Sequence, residues 1–356
     1  MLLFLAPAWA DRPTPPRATP LRETPTYTNP LDVALADPDI IRHDGTYYLY
    51  GTSSRSGFRA WTSSDLVQWK PHDELVFSKN EQSWGESKFW APDILERDGT
   101  FYLYYSAVGP VGNDRTSHRI CVATSASPLG PFNDVKAPLL DIGKAVIDAD
   151  VFIDTDGKAY LYYALDHSEN VQRGGRRHSH LYVVRLGPDL LSIVGKPVLC
   201  LKASQPWEGN PDVDDTWNEA PLVFKHEKTY ILMYSAQVFS DPRYAVGYAT
   251  ARSPLGPWIK AKENPILQRT ELVSGPGHNS VIASPDGKEL FIVYHTHRNL
   301  EGGSRRELNI DRLHIEEGPD RKFRLRVDGP TRRPVPMPSS AGRAATRPVR
   351  EPALAR

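Results

Sequence analysis

The chain has 356 residues, and its 43 Lys and Arg residues balance 43 Asp and Glu residues, so that the formal net charge is zero. This balance excludes a protein that binds nucleic acid through bulk charge, because phosphate neutralisation needs a basic surplus. Hydrophobic residues make up 40% and the mean hydropathy is −0.46, which excludes a membrane bundle. The 32 prolines, 25 glycines and 16 tyrosines indicate many turns and short strands.

The N-terminus carries a targeting pattern. Residues 1–10 form an apolar run that ends in Ala8-Trp9-Ala10, which is typical of signal-peptide cleavage sites. We interpret the run as a signal-peptide remnant and expect a secreted or periplasmic protein. It is too short to span a bilayer. Residues 11–27 are rich in proline and predict a linker.

Tyrosine-rich segments then repeat five times, with a period of about 60 residues. In each copy an apolar run is followed by a polar turn, often Asp-Gly, and by a β-rich strand, which together predict a hairpin. The sequence therefore predicts a five-bladed β-propeller over residues 28–330, with about four antiparallel strands per blade. The turns begin at Asp44, Asp98, Asp156, Glu227 and Asp286.

The rest of the chain adds little chemistry. Cys121 and Cys200 are interpreted as buried thiols, although a disulfide between them stays open. No cysteine and histidine spacing resembles a zinc site. Residues 331–356 are rich in Arg, Pro and Ala and predict a disordered basic tail.

Counting back seven or eight residues from each turn reaches the start of the preceding strand. The first strand of a propeller blade lies nearest the axis, so equivalent positions there converge on one mouth of the channel. Three carboxylates in such a ring raise one another's pKa, and a hydrolase can use them as general acid and base. The five positions are Asp37, Trp90, Asp148, Glu219 and His278. The neighbouring Asp39, Asp93, Asp150 and Asp154 are predicted to be structural.

Five motifs in this order resemble glycoside hydrolase family 43 over about residues 28–315. They are Ala36-Asp-Pro-Asp-Ile40, Trp90-Ala-Pro-Asp93, the run 147–157, Glu219-Ala-Pro221 and Gly275-Pro-Gly-His278. The resemblance implies a five-bladed propeller and single-displacement hydrolysis with inversion. It also implies arabinose- or xylose-containing plant polysaccharides as substrates. Asp150 departs from the family pattern and could either alter the charge of the pocket or simply point outward.

The resemblance also implies a role for each site residue. It makes Asp37 the general base, Glu219 the general acid, and Asp148 the carboxylate that orients the acid and tunes its pKa. Inversion places the base and acid carboxyls about 6.5–9.5 Å apart. Substrate contacts fall on Trp90, His278 and Arg306, with Arg305 as a close competitor of Arg306. No cofactor is required, but some members hold calcium or another ion near the residue that matches His278.

Several interpretations stay open within this framework. An exo-acting α-L-arabinofuranosidase or β-xylosidase is preferred, and an endo-1,5-α-L-arabinanase is the alternative. A sugar-binding propeller without turnover and a protein-interaction scaffold are the non-enzyme alternatives. The insert Asp166–His180 and the loop 203–218, with Trp207 and Trp217, could wall a pocket or line a cleft. We expect a monomer whose partner is an oligosaccharide or polysaccharide, with no nucleic acid or membrane partner.

Overall fold

The computed structural model describes residues 24–111, 117–172, 174–318 and 323–340. The sequence of tyrosine-rich hairpins folds as five antiparallel sheets, so the predicted five-bladed β-propeller is confirmed. Tyrosines of the second strands are fully buried between the blades, among them Tyr50, Tyr105 and Tyr162. Because each blade covers its neighbour in this way, the blades form one continuous core rather than separate units.

The strands follow the chain order closely. A short strand β1 (Thr26–Tyr27) precedes blade 1, which contains β2 (Ala36–His43), β3 (Thr46–Thr52), β4 (Gly57–Ser63), β5 (Lys70–Pro71) and β6 (Phe77–Ser78). Blade 2 contains β7 (Ser87–Arg97), β8 (Thr100–Val108), β9 (His118–Ser125) and β10 (Asn133–Leu140). Blade 3 contains β11 (Val146–Ile153), β12 (Ala159–Leu165), β13 (His180–Leu186) and β14 (Ile193–Leu201).

The last two blades repeat this arrangement. Blade 4 contains β15 (Asn218–His226), β16 (Thr229–Ala236), β17 (Ala245–Ala251) and β18 (Ile259–Lys260). Blade 5 contains β19 (Gly277–Ala283), β20 (Leu290–His297), β21 (Arg306–Glu317) and β22 (Phe323–Val327), and β23 (Val335–Pro336) follows it. The first strands contact one another in the order β2, β7, β11, β15, β19 and back to β2. These five strands therefore surround the axis.

The two chain ends meet outside the blades. Thr26 and Tyr27 of β1 pair with Pro336 and Val335 of β23 in a two-stranded sheet. Tyr27 and Val335 pack into one core cluster with residues of blades 1 and 5. The prediction of a disordered tail from residue 331 is therefore wrong for 331–340, where apolar packing fixes the chain. Residues 341–356 and the predicted signal remnant 1–10 lie outside the described residues.

Little of the described chain is helical. Two 3₁₀ turns occur, at His167–Glu169 and Pro206–Glu208. Neither the length nor the apolarity that a membrane crossing needs is found in any helix of the described ranges. Cys121 is buried on β9, whereas Cys200 on β14 is half-buried, and both thiols are free.

Candidate active site

A β-bulge interrupts the first strand of every blade near its start. Pairing with the second strand skips two residues there, for example between Ala36 and Asp39 in blade 1. One skipped residue in each blade has a positive φ between 42° and 57°, in the left-handed region that non-glycine residues rarely adopt. Backbone strain that recurs at five equivalent positions is typical of a functional site, where the surrounding structure maintains it. The five residues are Asp37, Ala91, Asp148, Ala220 and His278.

The bulge corrects the alignment drawn from counting. Glu219 and Trp90 lie one residue before the bulge residue of their blades, whereas Asp37, Asp148 and His278 are bulge residues themselves. The number of residues between the bulge and the hairpin turn differs among the blades, because the turns between the first and second strands have unequal lengths. Only Asp44 and Gly45 separate β2 from β3, but residues 154–158 separate β11 from β12. A longer turn in blades 3 and 5 shifts the count by one residue.

Asp37 is surrounded by cationic and polar groups. Its Oδ1 accepts a hydrogen bond from Nη1 of Arg306 at 3.0 Å and lies 3.3 Å from Nδ1 of His278. Burial alone would raise the pKa of Asp37, but Arg306, His278, His295 and the Thr52 hydroxyl together hold it well below its usual value. The carboxylate is therefore ionised at any working pH.

Asp148 and Glu219 have raised pKa values, in contrast to Asp37. Burial raises the pKa of Asp148 to about 6, against the lowering effect of His278. Burial and the nearby charge of Asp148 raise the pKa of Glu219 well above its usual value, although a hydrogen bond from Tyr244 at 2.9 Å opposes the rise. The surroundings therefore favour the protonated form of Glu219 and the ionised form of Asp37. This division of protonation states suits acid–base chemistry.

His278 lies beside Asp37 and has no further side-chain ligand for an ion among the described carboxylates, cysteines and histidines. Its Nδ1 faces Asp37, whose Oδ1 is already bound by Arg306. In the described ranges no group of three His, Cys, Asp or Glu side chains could hold a metal ion. A single imidazole is also a poor site for calcium, which prefers oxygen ligands. The axial ion implied by the resemblance stays a prediction, with His278 as its one predicted side-chain ligand.

The bulge amides join each blade to the preceding one. In four junctions the amide donates to a side chain at the end of the neighbouring second strand. The acceptors are Oγ1 of Thr52 for Ala91 at 2.8 Å, Oγ of Ser106 for Asp148 at 3.1 Å, Oγ of Ser235 for His278 at 2.8 Å and Nδ1 of His295 for Asp37 at 3.1 Å.

The junction between blades 3 and 4 differs from the other four. Its equivalent position is Ala164, which pairs with Ile147 and carries no acceptor. The amide of Ala220 instead donates to Oδ2 of Asp148 at 3.0 Å. The carboxylate of Asp148 thus completes the junction next to Glu219, and the hydrogen bond from Ala220 fixes its orientation.

A second set of carboxylates has a structural role, as predicted for them. Each lies two residues after a bulge position and accepts a hydrogen bond from a backbone amide of the next blade. The pairs are Asp39 with Ile94 at 2.8 Å, Asp93 with Val151 at 3.1 Å and Asp150 with Val223 at 2.9 Å. Asp150, which departs from the family pattern, therefore links blades 3 and 4.

Two inserted loops lie beside the Asp148–Glu219 pair. His178 bridges to Thr216, which joins the insert 166–180 to the loop before β15. The ring of Trp217 lies 4.5 Å from that of His167. The charge of Asp166 raises the pKa of both Asp148 and Glu219. The insert and the loop therefore lie on the blade 3 and 4 side of the pair, whereas Trp207 packs on Tyr234 within blade 4.

The opposite side opens into a cavity of about 900 Å³, lined by Trp90, Thr52, Arg305 and Arg306 among others. Trp90 stacks on His118 with ring centroids 4.3 Å apart. The structure separates the two arginine candidates, since Arg306 bonds Asp37 and Arg305 is exposed.

Several residues of the site were not predicted from the sequence. Thr52 and His295 could have been found, because they end the second strands as Ser106 and Ser235 do. Tyr244, which bonds Glu219 and stacks on His295 at 5.8 Å, gives no comparable signal in the sequence.

Comparison with known proteins identifies the family of this chain. The sequence profile of glycosyl hydrolases family 43 matches residues 27–319. A β-D-galactofuranosidase of Aspergillus niger is 31% identical over 302 residues, covering 79% of this chain and 80% of that protein. An extracellular exo-α-(1→5)-L-arabinofuranosidase of Streptomyces avermitilis is 29% identical over 327 residues, covering 88% and 63%. The crystal structure of a thermostable family-43 glycoside hydrolase superposes with a TM-score of 0.83 at 46% identity, covering 89% of this chain and all of that one. The chain therefore belongs to glycosyl hydrolase family 43 and is a glycosidase.

Proposed function

We propose that this glycosidase hydrolyses arabinose- or xylose-containing plant polysaccharides or oligosaccharides with inversion, as an exo-acting α-L-arabinofuranosidase or β-xylosidase. The proposal is supported by the opposite directions in which the surroundings shift the pKa values of two buried carboxyls, Asp37 and Glu219. Arg306 lowers the pKa of Asp37, and burial together with the charge of Asp148 raises the pKa of Glu219. Relatives named for furanosides among the similar proteins favour a furanose as the sugar that is cleaved.

Each carboxyl has one task in the proposed reaction. Asp37 accepts a proton from water, which attacks the anomeric carbon on the face opposite the leaving group. Glu219 donates its proton to the glycosidic oxygen as that bond breaks. Asp148, fixed by the Ala220 amide, orients Glu219 and raises its pKa. Trp90 and His278 contact the sugar, and Arg306 positions both Asp37 and a sugar hydroxyl.

Inversion gives the first expected result. The first product released from an aryl furanoside or xyloside should have the anomeric configuration opposite to that of the substrate, because a single displacement passes through no covalent intermediate. Proton NMR within the first minutes of reaction, before mutarotation, measures this. A product of retained configuration would require a nucleophile in place of a base and would overturn the roles given to Asp37 and Glu219.

An endo-1,5-α-L-arabinanase is the second candidate, because the cavity beside Trp90 extends the site away from the axis. The inserts beside Asp148 and Glu219 at blades 3 and 4 favour the exo-acting enzyme, because inserts at that position can close one end of the site. Parallel assays with aryl arabinofuranoside, aryl xyloside, aryl galactofuranoside and linear arabinan distinguish these activities. Monosaccharide as the first product indicates exo action, and early release of longer arabino-oligosaccharides indicates endo action.

The junction at Ala164 predicts a change in the pH profile. In Ala164→Ser a hydroxyl can accept the Ala220 amide, as Ser106 and Ser235 do in other blades, and Asp148 then loses a hydrogen bond that lowers its pKa. Its pKa rises above about 6, so the acid limb of kcat/KM should move to higher pH. We expect kcat/KM near pH 5 to fall about tenfold more than near pH 7.

The control for this variant is Ala164→Cys, which adds similar bulk but only a weak acceptor. It should keep the wild-type pH profile even if its overall activity is lower. Equal shifts of the acid limb in the Ser and Cys variants would show that bulk, rather than competition for the Ala220 amide, causes the change.

A further inference from the structure

The cavity of about 900 Å³ adjoins the proposed catalytic carboxylates and lies between blades 1, 2 and 5. Thr52 and Arg306 belong to both places, because each lines the cavity and each bonds Asp37. When one sugar of the substrate lies between Asp37 and Glu219, the sugar linked to it can therefore lie in this cavity.

The charge of the cavity is unlike that of the whole protein. Five cationic side chains and one carboxylate line it, whereas the chain as a whole has zero net charge. Arg306 is paired with Asp37 at 3.0 Å, and Nε of Arg298 lies 3.7 Å from Oε1 of Glu307. Among the described residues, Arg55 and Arg305 form no ion pair. The five cationic residues are Arg55, Lys88, Arg298, Arg305 and Arg306.

Cations gathered around one cavity repel each other, and a partly enclosed space screens that repulsion less than open water. A neutral sugar would not relieve it, but a bound carboxylate would. The cavity also contains Trp90, whose ring is half-buried and offers an apolar face of the kind that packs against pyranose rings. The combination fits a sugar that carries a carboxylate.

We propose that this cavity binds a uronic acid residue of the substrate, next to the sugar that is hydrolysed. The proposal rests on the proposed glycosidase site, because that site places the substrate chain beside the cavity. Guanidinium groups of Arg55 and Arg305 bind the carboxylate, since Arg pairs with carboxylates in bidentate geometry. The preferred polysaccharide is therefore an acidic one, either a glucuronic acid-bearing xylan or a galacturonic acid-bearing pectin.

Calorimetric titration of the full chain with three oligosaccharides tests this. Xylotetraose is the neutral probe, xylotriose bearing one glucuronic acid is the second, and trigalacturonic acid is the third. We expect at least one acidic probe to bind about tenfold or more tightly than xylotetraose at low salt, and about 0.5 M NaCl to remove most of the difference. The acidic probe that binds more tightly identifies the source of the carboxylate.

Two double variants with the same loss of charge distinguish binding by the cavity arginines from attraction by the overall charge of the protein. Arg55→Gln with Arg305→Gln should abolish the preference for the acidic probe. Arg185→Gln with Arg252→Gln, two exposed positions outside the cavity lining, should keep it. The proposal is overturned if the wild type binds all three probes equally, or if both double variants lose the preference alike. Hydrolysis of neutral aryl glycosides by the same preparation reports separately on the proposed function.

Discussion

Replacing Glu219 with Gln should reduce kcat/KM on unactivated oligosaccharides by about 10²–10⁴, the usual contribution of a positioned general acid. An aryl glycoside with a good leaving group should lose far less, about tenfold, because its departing oxygen needs little protonation. Gln keeps the shape and can still accept the hydrogen bond from Tyr244. A larger loss on the unactivated substrate therefore indicates that proton donation by residue 219 was lost, and not that its packing was disturbed.

The comparison requires steady-state kinetics on both substrates over a pH range. Removing the proton donor should also remove the alkaline limb of the profile, since that limb arises when Glu219 loses its proton. Glu227→Gln is the control, because Glu227 is exposed in the turn of the same blade and its variant should match the wild type. An equal loss on both substrate classes would argue that Glu219 is not the acid.

Replacing Glu208 with Ala should destabilise the protein by about 3–5 kcal/mol, the range observed when one partner of a buried ion pair is removed. Glu208 is fully buried, and its carboxylate accepts hydrogen bonds from Tyr234 at 2.7 Å, Asn218 at 2.9 Å and Lys260. The amides of Ser204 and Gln205 donate to its other oxygen, both at 2.7 Å. Thermal unfolding should occur about 10 °C lower.

The cost arises mainly from the charge left behind on Lys260. Burial already lowers the pKa of Lys260, and the carboxylate of Glu208 counteracts this. The double variant Glu208→Gln with Lys260→Met removes both charges and should recover much of the stability. Glu271→Ala, at an exposed loop position, should leave the unfolding temperature unchanged. If the Glu208→Ala protein had the same unfolding temperature as the wild type, the buried pair would contribute nothing to stability.

The fold was predictable because its signal is local and repeated. A turn residue such as Asp98 and the tyrosine-rich strand after it define each hairpin, and five hairpins can bury their faces only by stacking in a ring. The chain ends were not predictable in this way. The pairing of β1 with β23 joins residues more than 300 positions apart, and neither segment is long enough to show a strand period.

The site was partly predictable for a related reason. Asp37, Asp148 and Glu219 were found because they begin strands that the repeat aligns, and the structure brings all three together. The alignment placed Glu219 one residue out of register, because the turns between first and second strands differ in length and the sequence repeat does not show this. Arg305 and Arg306 could not be separated, since neighbouring strand residues face opposite sides and the phase of β21 was unknown.

The link between Ala220 and Asp148 gives this protein an intrinsic spectroscopic probe. Four of the five bulge amides bond side chains other than carboxylates, and one bonds a carboxylate whose pKa is raised to about 6. The chemical shift of that single backbone proton should follow the charge on Asp148 without a bound sugar. Protonation at the centre of the ring could therefore be observed directly in the resting enzyme.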